Sequence, residues 1–300
     1  MRAVLIAMLL VGCGDNELTL DGPHYQYVMS DMRIPVNNNA AREDGLDLSG
    51  DGTVDNQLGM VFGTLKSMGL GVDGTAREAL LRGGVTLLAD IQTLDFENID
   101  LAGVTTYLGR DPSPAPCLDP TRIETCGQQL LGTGRFSIES GSDSDHGTGA
   151  ISKGVFSAAV GVLPVQIALD VNAPLRLDLH VARIKFTSIS ETGFSGVIGG
   201  AITKADVDRV VIPQAATEIA RIVAAECGQP GGILPCGCID GGRAEILQNF
   251  FDLNKDCMVA LDEVATDGLV RALLSPDVGK NGRDGLSFGV GVEFRRATFE

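Results

Sequence analysis

The sequence has no tryptophan, only 5% aromatic residues and fewer basic than acidic side chains. Its 300 residues include 23 Lys and Arg against 39 Asp and Glu, which gives a formal net charge of −16 at pH 7. Such a charge repels polyanions, so we expect no nucleic-acid partner. It suits cation binding, although many soluble proteins are acidic for solubility alone. The hydrophobic fraction of 44% is enough for the core of one large domain or two modest ones.

The motifs of the common enzyme classes are absent as well. The stretch GFSGV at 193–197 departs from G-x-S-x-G at its last position, and no H-E-x-x-H, P-loop or dinucleotide fingerprint occurs. The three His residues, at positions 24, 146 and 180, are scattered. We therefore expect no enzymatic activity. The many carboxylates leave a carboxylate-based hydrolase open as an alternative, but no pair of them stands out.

The N-terminal residues MRAVLIAMLLVGC form an apolar run that is too short to span a bilayer as a helix, which takes about 20 residues. A run of this length fits the apolar region of a secretory signal peptide. Its last four residues, Leu10 to Cys13, resemble the lipobox of bacterial lipoproteins, in which a small residue precedes a lipidated Cys. The resemblance implies a signal peptide over 1–12, a lipid anchor on Cys13, and an exported protein held on a bacterial membrane, facing the periplasm or the cell exterior. An ordinary signal peptide with a chance Cys, or a buried apolar strand, stays open.

The chain has seven Cys residues, and six remain if Cys13 carries lipid. An even number in an exported protein indicates disulfides. Cys117 and Cys126 bracket a short loop and are expected to pair. The other four candidates, whose connectivity the sequence leaves open, are Cys227, Cys236, Cys238 and Cys257. Zinc is an alternative for these four, but their spacing lacks the usual C-x2-C knuckle.

The stretch DLNKDCMVALDE at 252–263 spaces its oxygen atoms as a calcium loop does. Calcium takes six to eight oxygens, which a twelve-residue loop supplies from positions 1, 3, 5, 7, 9 and 12. With water at position 9, the ligands would be Asp252, Asn254, Asp256, the main-chain carbonyl of Met258, and Glu263. The apolar residues of its flanks predict an incoming helix with Ile246, Leu247, Phe250 and Phe251, and an outgoing helix with Leu261, Val264, Leu269 and Leu273. With these flanks, the segment resembles the EF-hand family, which implies calcium as the bound cofactor. An acidic helix-turn-helix without metal is the alternative.

One residue of this loop departs from the family pattern. Cys257 stands at position 6, where the family has Gly because the chain turns sharply there. A non-Gly residue with positive φ costs roughly 1–2 kcal/mol. A disulfide could hold Cys257 in that conformation, so we interpret it as an anchor and not as a defect that abolishes the site.

A second acidic loop, DLSGDGTVDNQL at 47–58, matches the same pattern in its first half. The candidate ligands are Asp47, Ser49, Asp51, the carbonyl of Thr53, and Asp55. Position 12 is Leu58, which cannot bind a cation, so the missing ligand would come from water, Glu43 or Asp44. This loop resembles the short calcium loops of extracellular bacterial proteins. Both loops have Val at position 8, and we hypothesise that they pack together through Val54 and Val259.

The periodicity of the apolar residues predicts an α+β fold, in which a curved antiparallel β-sheet packs with helices and a C-terminal EF-hand-like helix-loop-helix follows. In the strand-like run after 173, the apolar residues change phase, which predicts a β-bulge near Ala182–Arg183. The expected segments are a tether over 13–46, a calcium loop with helices over 47–83, the sheet over 84–200, helices with a Cys-rich loop over 201–242, the EF-hand-like unit over 243–275, and a turn with the final strand over 276–300.

Taken together, these features predict a calcium-binding, lipid-anchored protein of a bacterial cell envelope, in which calcium is structural. This resembles the uncharacterised bacterial lipoproteins that carry EF-hand-type loops. The alternative is a carrier that holds a lipid or another hydrophobic ligand on its curved sheet.

Overall fold

Nine β-strands make up the body of the protein. The computed structural model describes residues 20–67, 71–119, 121–228, 235–279 and 285–300. In these ranges the strands are β1 (His24–Arg33), β2 (Leu87–Gln92), β3 (Asn98–Ser113), β4 (Gly134–Ile138), β5 (Gly147–Ser152), β6 (Val155–Ile167), β7 (Leu175–Ser190), β8 (Gly193–Thr203) and β9 (Gly285–Phe299).

Eight of these strands close into an antiparallel barrel. Their order around it is β1-β2-β3-β5-β6-β7-β8-β9, and β9 pairs with β1 to complete the ring. The short β4 lies beside this ring, antiparallel to β3 and parallel to the end of β9. The prediction of an α+β fold with an open, curved sheet and an EF-hand-like unit is therefore wrong, since the chain is mostly a closed barrel. Closure depends on pairing between the two ends of the described chain, which local periodicity does not reveal.

The segment predicted as a tether contains a barrel strand. Residues 24–33 form β1, which pairs with β2 from His24 to Val28 and with β9 from Tyr27 to Arg33. Its central residues Tyr27, Val28 and Met29 are all buried. Because they are apolar in succession and do not alternate, the period-two signal of a half-exposed strand is missing. The sequence therefore suggested an irregular segment.

Aromatic side chains fill the core where β1, β7, β8 and β9 meet. The ring of Phe194 lies 4.4 Å from that of Phe186, 4.7 Å from that of Phe294 and 5.0 Å from that of Tyr27, centroid to centroid. Burial raises the pKa of Tyr27, whose hydroxyl donates to the carbonyl of Ser190 at 2.9 Å. Elsewhere among the strands, a gap of about 20 Å³ remains beside Met29, about the size of one water. This part of the interior is too full for a ligand.

The bulge predicted in β7 is present. The register with β8 shifts between His180 and Arg183, and the register with β6 shifts where Gly161 faces Ala182. Val181 has a φ of 45° and is 56% exposed. The side chains of β7 therefore point inward again from Ala182 onward, and the bulge lies just before the position predicted for it.

Short helices cover the outside of the barrel. They are α1 (Asn38–Glu43), α2 (Gln57–Ser67), α3 (Asp73–Leu81), α4 (Lys204–Asp206), α5 (Ile212–Glu226), α6 (Arg243–Phe251), α7 (Leu261–Thr266) and α8 (Gly268–Leu273). A π-helical turn, Val207–Val211, joins α4 to α5. Helix α2 packs on β9, and α5 packs on α6 and α7. None of the helices in the described ranges has the length and apolarity that a membrane crossing requires.

Three disulfides connect the six remaining cysteines. Cys117 pairs with Cys126, as the short loop between them led us to expect. Cys227 pairs with Cys238, and Cys236 pairs with Cys257. The second and third bridges tie the segment after α5 to itself and to the loop that follows α6.

Asn56 joins the helical layer to the barrel. Its side chain is 1% exposed, and its amide nitrogen donates to the carbonyls of Ala41 (2.9 Å), Asp44 (3.3 Å) and Gly289 (3.0 Å). Its amide oxygen accepts from the N–H of Gly289 at 2.9 Å and from that of Gly59 at 3.0 Å, which caps the first turn of α2. A β-carbon at Gly289 would overlap the carbonyl oxygen of Asp44. Only glycine therefore lets this segment approach β9 so closely.

We expect Asn56→Ala to lower the free energy of unfolding by about 3 kcal/mol, because several buried polar groups of the main chain lose their partners at once. Denaturant unfolding measures the change. Asn172→Ala is the matched control, since Asn172 is exposed on the surface, and a change within about 0.5 kcal/mol is expected there. Equal losses in the two variants would contradict the role of Asn56.

Candidate metal centre

The loop at 252–263 lies between two short helices. Helix α6 ends at Phe251 and α7 begins at Leu261. The continuous outgoing helix expected through Leu273 is not formed, because Asp267 ends α7 and caps α8. Its carboxylate accepts from the N–H groups of Leu269 (2.9 Å) and Val270 (3.0 Å). The EF-hand-like unit predicted over 243–275 is thus replaced by three short helices around one loop.

The carboxylates at the two ends of this loop fold it back on itself. Asp252 accepts from the N–H groups of Asp256 and Cys257, both at 3.0 Å. Glu263 accepts from the N–H of Asn254 at 3.0 Å and from that of Ala260 at 2.8 Å. The first and last candidate ligands therefore already organise the backbone between them.

The middle of the loop has the sharp turn that a calcium loop needs. Lys255 has a φ of 61° and Cys257 a φ of 70°, a region that is costly for residues with a β-carbon. The disulfide from Cys257 to Cys236 lies at this turn. The sequence suggested a disulfide at Cys257 but left its partner open.

The remaining candidate ligands lie on the exposed side of the loop. Asn254 donates from its amide nitrogen to the carboxylate of Asp256 at 3.1 Å, and Asp256 accepts from the N–H of Met258 at 2.9 Å. In the described ranges, three ligand atoms of His, Cys, Asp or Glu come within 4.8 Å of one another only at Cys236, Asp252 and Cys257. Since those two cysteines form a disulfide, no thiolate is present there. No three carboxylates of the loop reach that distance.

Two carboxylates of this loop are buried without a cationic partner among the described residues. Asp252 is 8% exposed and Glu263 is 6% exposed. Within the described part of the chain, no Lys, Arg or His nitrogen lies within 4.0 Å of the carboxylate oxygens of Asp252, Asp256 or Glu263. Buried charges in proteins are normally paired or bound to a metal. An all-oxygen donor set of this kind fits a hard cation such as Ca²⁺.

The loop at 47–58 is more exposed and folds around Asp47. Its carboxylate accepts from the N–H groups of Gly50 (2.6 Å) and Gly52 (2.9 Å). Asp55 turns back to accept from the N–H groups of Leu48 (2.8 Å) and Ser49 (2.9 Å). The carboxylates of Asp47 and Asp55, two of the candidate ligands, therefore bind N–H groups of the loop's own backbone.

The other candidate ligands of this loop are Ser49, Asp51 and Thr53. The hydroxyl of Ser49 lies 3.5 Å from the carboxylate of Asp47, to which it donates. The N–H of Thr53 donates to Asp51 at 2.7 Å and lowers the pKa of that exposed carboxyl, which keeps it ionised. The ligand missing at position 12 is not supplied by Asp44, because Asp44 is bound to Arg33 at 2.9 Å. Burial nevertheless raises the pKa of Asp44, against the effect of Arg33. Leu58 at position 12 is itself buried in the core.

Asp277 is an acidic residue near this loop. In the sequence it begins the fragment DVGKNGRDG at 277–285, which keeps part of the calcium-loop pattern and which we interpret as a turn or a degenerate relic. It accepts from the N–H of Ser287 at 2.7 Å and from its hydroxyl at 2.5 Å, and the same hydroxyl accepts from the N–H of Gln57 at 2.6 Å. Burial raises the pKa of Asp277, and the nearby negative charge of Asp55 raises it further. No local spacing relates residue 277 to residue 55, so only the fold could bring them together.

The two loops do not pair through their Val residues. Val54 is 38% exposed, whereas Val259 is 6% exposed and belongs to the main core. The first loop instead forms a bridge within itself, between Leu46 and Asp55, and Leu48 packs with Ala201 and Val278 in a separate small cluster. The hypothesis of a paired arrangement is therefore wrong: each loop has its own apolar support.

The backbone at Cys257 leads to a prediction about the residue itself. Two variants that both carry Cys236→Ser are compared, one with Cys257→Gly and one with Cys257→Ala. The Gly variant should be more stable by about 0.5–1 kcal/mol, because the strain of Ala at positive φ outweighs the additional entropy that Gly loses on folding. Denaturant unfolding of the pair measures this. Equal stability, or a more stable Ala variant, would show that the positive φ is not retained without the disulfide.

Two predictions concern residues outside the described ranges, the signal peptide over 1–12 and the lipid anchor at Cys13. They stay predictions of the sequence.

Comparison with protein-family models, with curated proteins and with solved structures gives no match to this chain.

Proposed function

We propose that this chain is a calcium-binding protein of a bacterial cell envelope, lipid-anchored through Cys13, in which calcium stabilises the fold. The observation that carries the proposal is the pair of buried carboxylates, Asp252 and Glu263, which have no basic side chain beside them among the residues that the structure describes. A divalent cation would compensate their charge, with Asn254, Asp256 and the Met258 carbonyl as further oxygen ligands. The open acidic loop at 47–58 is a second and weaker site, supported by Asp47, Ser49, Asp51, Thr53 and Asp55.

A structural role fits the expected location. Calcium is abundant outside cells, and extracellular modules need dissociation constants of only about 10⁻⁴–10⁻³ M. Calcium at about 100 times its dissociation constant would add ~2.7 kcal/mol per site if the unfolded chain binds none.

The first experiment compares thermal melting of the full chain carrying Cys13→Ser in chelator, in calcium and in magnesium. Calcium should raise the melting temperature, and magnesium should raise it less, because Mg²⁺ demands near-ideal octahedral geometry and releases its water reluctantly. Glu263→Gln should remove most of the stabilisation by calcium, a loss of about 2 kcal/mol. Asp51→Asn should remove a smaller part.

The matched control is Asp262→Asn, which removes the exposed carboxylate next to Glu263 and should leave the calcium effect intact. The proposal fails if calcium does not shift the melting temperature of the parent chain. It also fails for this loop if Asp262→Asn loses as much of the shift as Glu263→Gln.

The lipid anchor is tested separately, in a bacterial host with a lipoprotein pathway. The wild-type chain should sediment with membranes, and mass spectrometry of its N-terminal peptide should show acyl chains on Cys13. Cys13→Ser should move the protein to the soluble fraction while its calcium-dependent melting stays unchanged. Membrane association that persists in the Cys13→Ser variant would contradict the proposed lipid anchor but not the calcium site.

A further inference from the structure

A large apolar cavity lies between the helical layer and one end of the barrel. Its volume is about 290 Å³. Its walls come from Phe62 of α2, Ile219 of α5, Leu247 and Phe251 of α6, Val264 of α7 and Leu177 of β7. Five elements from distant parts of the chain thus surround one space, which lies outside the filled aromatic core.

The wall of this cavity has almost no free polar groups. Its polar lining residues are Thr64, Thr75, Glu218 and Arg243. Glu218 is paired with Arg221 at 2.7 Å, and Arg243 is paired with Glu226. The hydroxyl of Thr64 donates to the carbonyl of Met60 at 3.0 Å. Among its described lining residues, the cavity therefore offers no uncompensated charge to a ligand, and the single carboxylate there does not form the acidic pair that a carboxylate-based hydrolase would need.

Water is a poor occupant of such a space. A buried water needs two to four polar partners, and cavities lined by Leu, Ile and Phe stay dry and take up hydrocarbon. A cavity of about 150 Å³ accepts benzene, so a volume of 290 Å³ has room for roughly twice as many carbon atoms. That is near the lower limit of ligand sites, about 300 Å³, and is too small for a sterol or a two-chain lipid.

The cavity reaches solvent where its lining side chains are exposed, and two of these are the large apolar residues Phe250 of α6 and Leu269 of α8. Phe250 is 43% exposed and Leu269 is 44% exposed. Large apolar side chains that are half in solvent and half in a cavity mark its entrance. The head of a bound chain would remain in water beyond these two residues.

We propose that this cavity is a binding site for a single unbranched hydrocarbon chain of roughly ten to twelve carbons, whose polar head stays in solvent. The occupant would be a free alcohol or fatty acid of medium length. The site goes beyond the proposed calcium function and does not depend on it.

The test uses the full chain carrying Cys13→Ser, in chelator, with the neutral dye N-phenyl-1-naphthylamine, whose ten-carbon naphthalene ring matches the capacity of the cavity while its phenyl ring would stay at the entrance. The protein has no Trp, so its own fluorescence interferes little. The dye should bind saturably with one site per chain, and 1-dodecanol should displace it. The affinities of dodecanoate and dodecanol should agree within about threefold, a difference below 1 kcal/mol, because no unpaired basic side chain among the described lining residues would bind the carboxylate. Dihexanoyl phosphatidylcholine, which has the same number of acyl carbons in two chains, should compete poorly.

Ile219→Trp fills the cavity and should weaken dye and dodecanol binding by about tenfold or more, since a well-packed space does not admit additional atoms without strain. Leu94→Trp is the matched control, because Leu94 is 64% exposed on the surface. If Ile219→Trp does not fold, Leu269→Glu at the entrance replaces it, with Leu94→Glu as its control.

Three results would overturn the proposal. The first is dye binding that does not saturate or that dodecanol does not displace. The second is a folded Ile219→Trp or Leu269→Glu variant that binds as tightly as its control. The third is a preference of more than about thirtyfold, or about 2 kcal/mol, for dodecanoate or for the two-chain lipid over dodecanol. Because all measurements are made in chelator, failure of this site leaves the calcium proposal untouched.

Discussion

Closure of the sheet between β1 and β9 is the constraint on which the rest of the structure depends. The two strands come from opposite ends of the described chain and pair from Tyr27 to Arg33. Without this pairing each would present an edge of unsatisfied N–H and C=O groups. Closure also fixes the face of β9 to which Asn56 bonds through Gly289. Through Asn56 and α2, it sets the position of the helical layer that forms the apolar cavity and carries the 252–263 loop.

Local patterns predicted individual strands better than they predicted how those strands assemble. The alternation of Phe288, Val290, Val292 and Phe294 placed the last strand correctly, and the change of phase in β7 located its bulge within one or two residues. Both signals depend on neighbours in the sequence. The closing pair joins residues that are 258 positions apart at one end, Arg33 with Gly291, and 269 at the other, Tyr27 with Arg296. In addition, β1 is apolar on successive residues where it meets the core. For this reason the sequence suggested a tether and an open sheet where the chain forms a barrel strand and a closed ring.

The same distinction applies to the candidate site. The oxygen-bearing residues of each loop could be named from spacing alone, because a calcium loop is a local device. The partner of Cys257, the engagement of Asp44 by Arg33 and the approach of Asp277 to Asp55 could not, since each joins segments that only the fold brings together. The predicted length of the outgoing helix is also wrong. The apolar spacing from Leu261 to Leu273 continues across Asp267, but the carboxylate of that residue caps a new helix and so breaks the old one.

On the proposed assignment, a cation in the 252–263 loop would meet a backbone that is already set. Glu263 bonds to the N–H groups of Asn254 and Ala260, and the disulfide to Cys236 lies at the turn where Cys257 has positive φ. A ligand shifts an equilibrium only by its different affinity for the two states. Two folded states would have to differ in this loop for calcium to act as a switch, whereas the disulfide and the carboxylate bonds favour one arrangement. On that assignment, the large difference in affinity would lie between the folded chain, which holds the ligand residues on one fixed loop, and the unfolded chain, which does not. Calcium would then act by stabilising the fold.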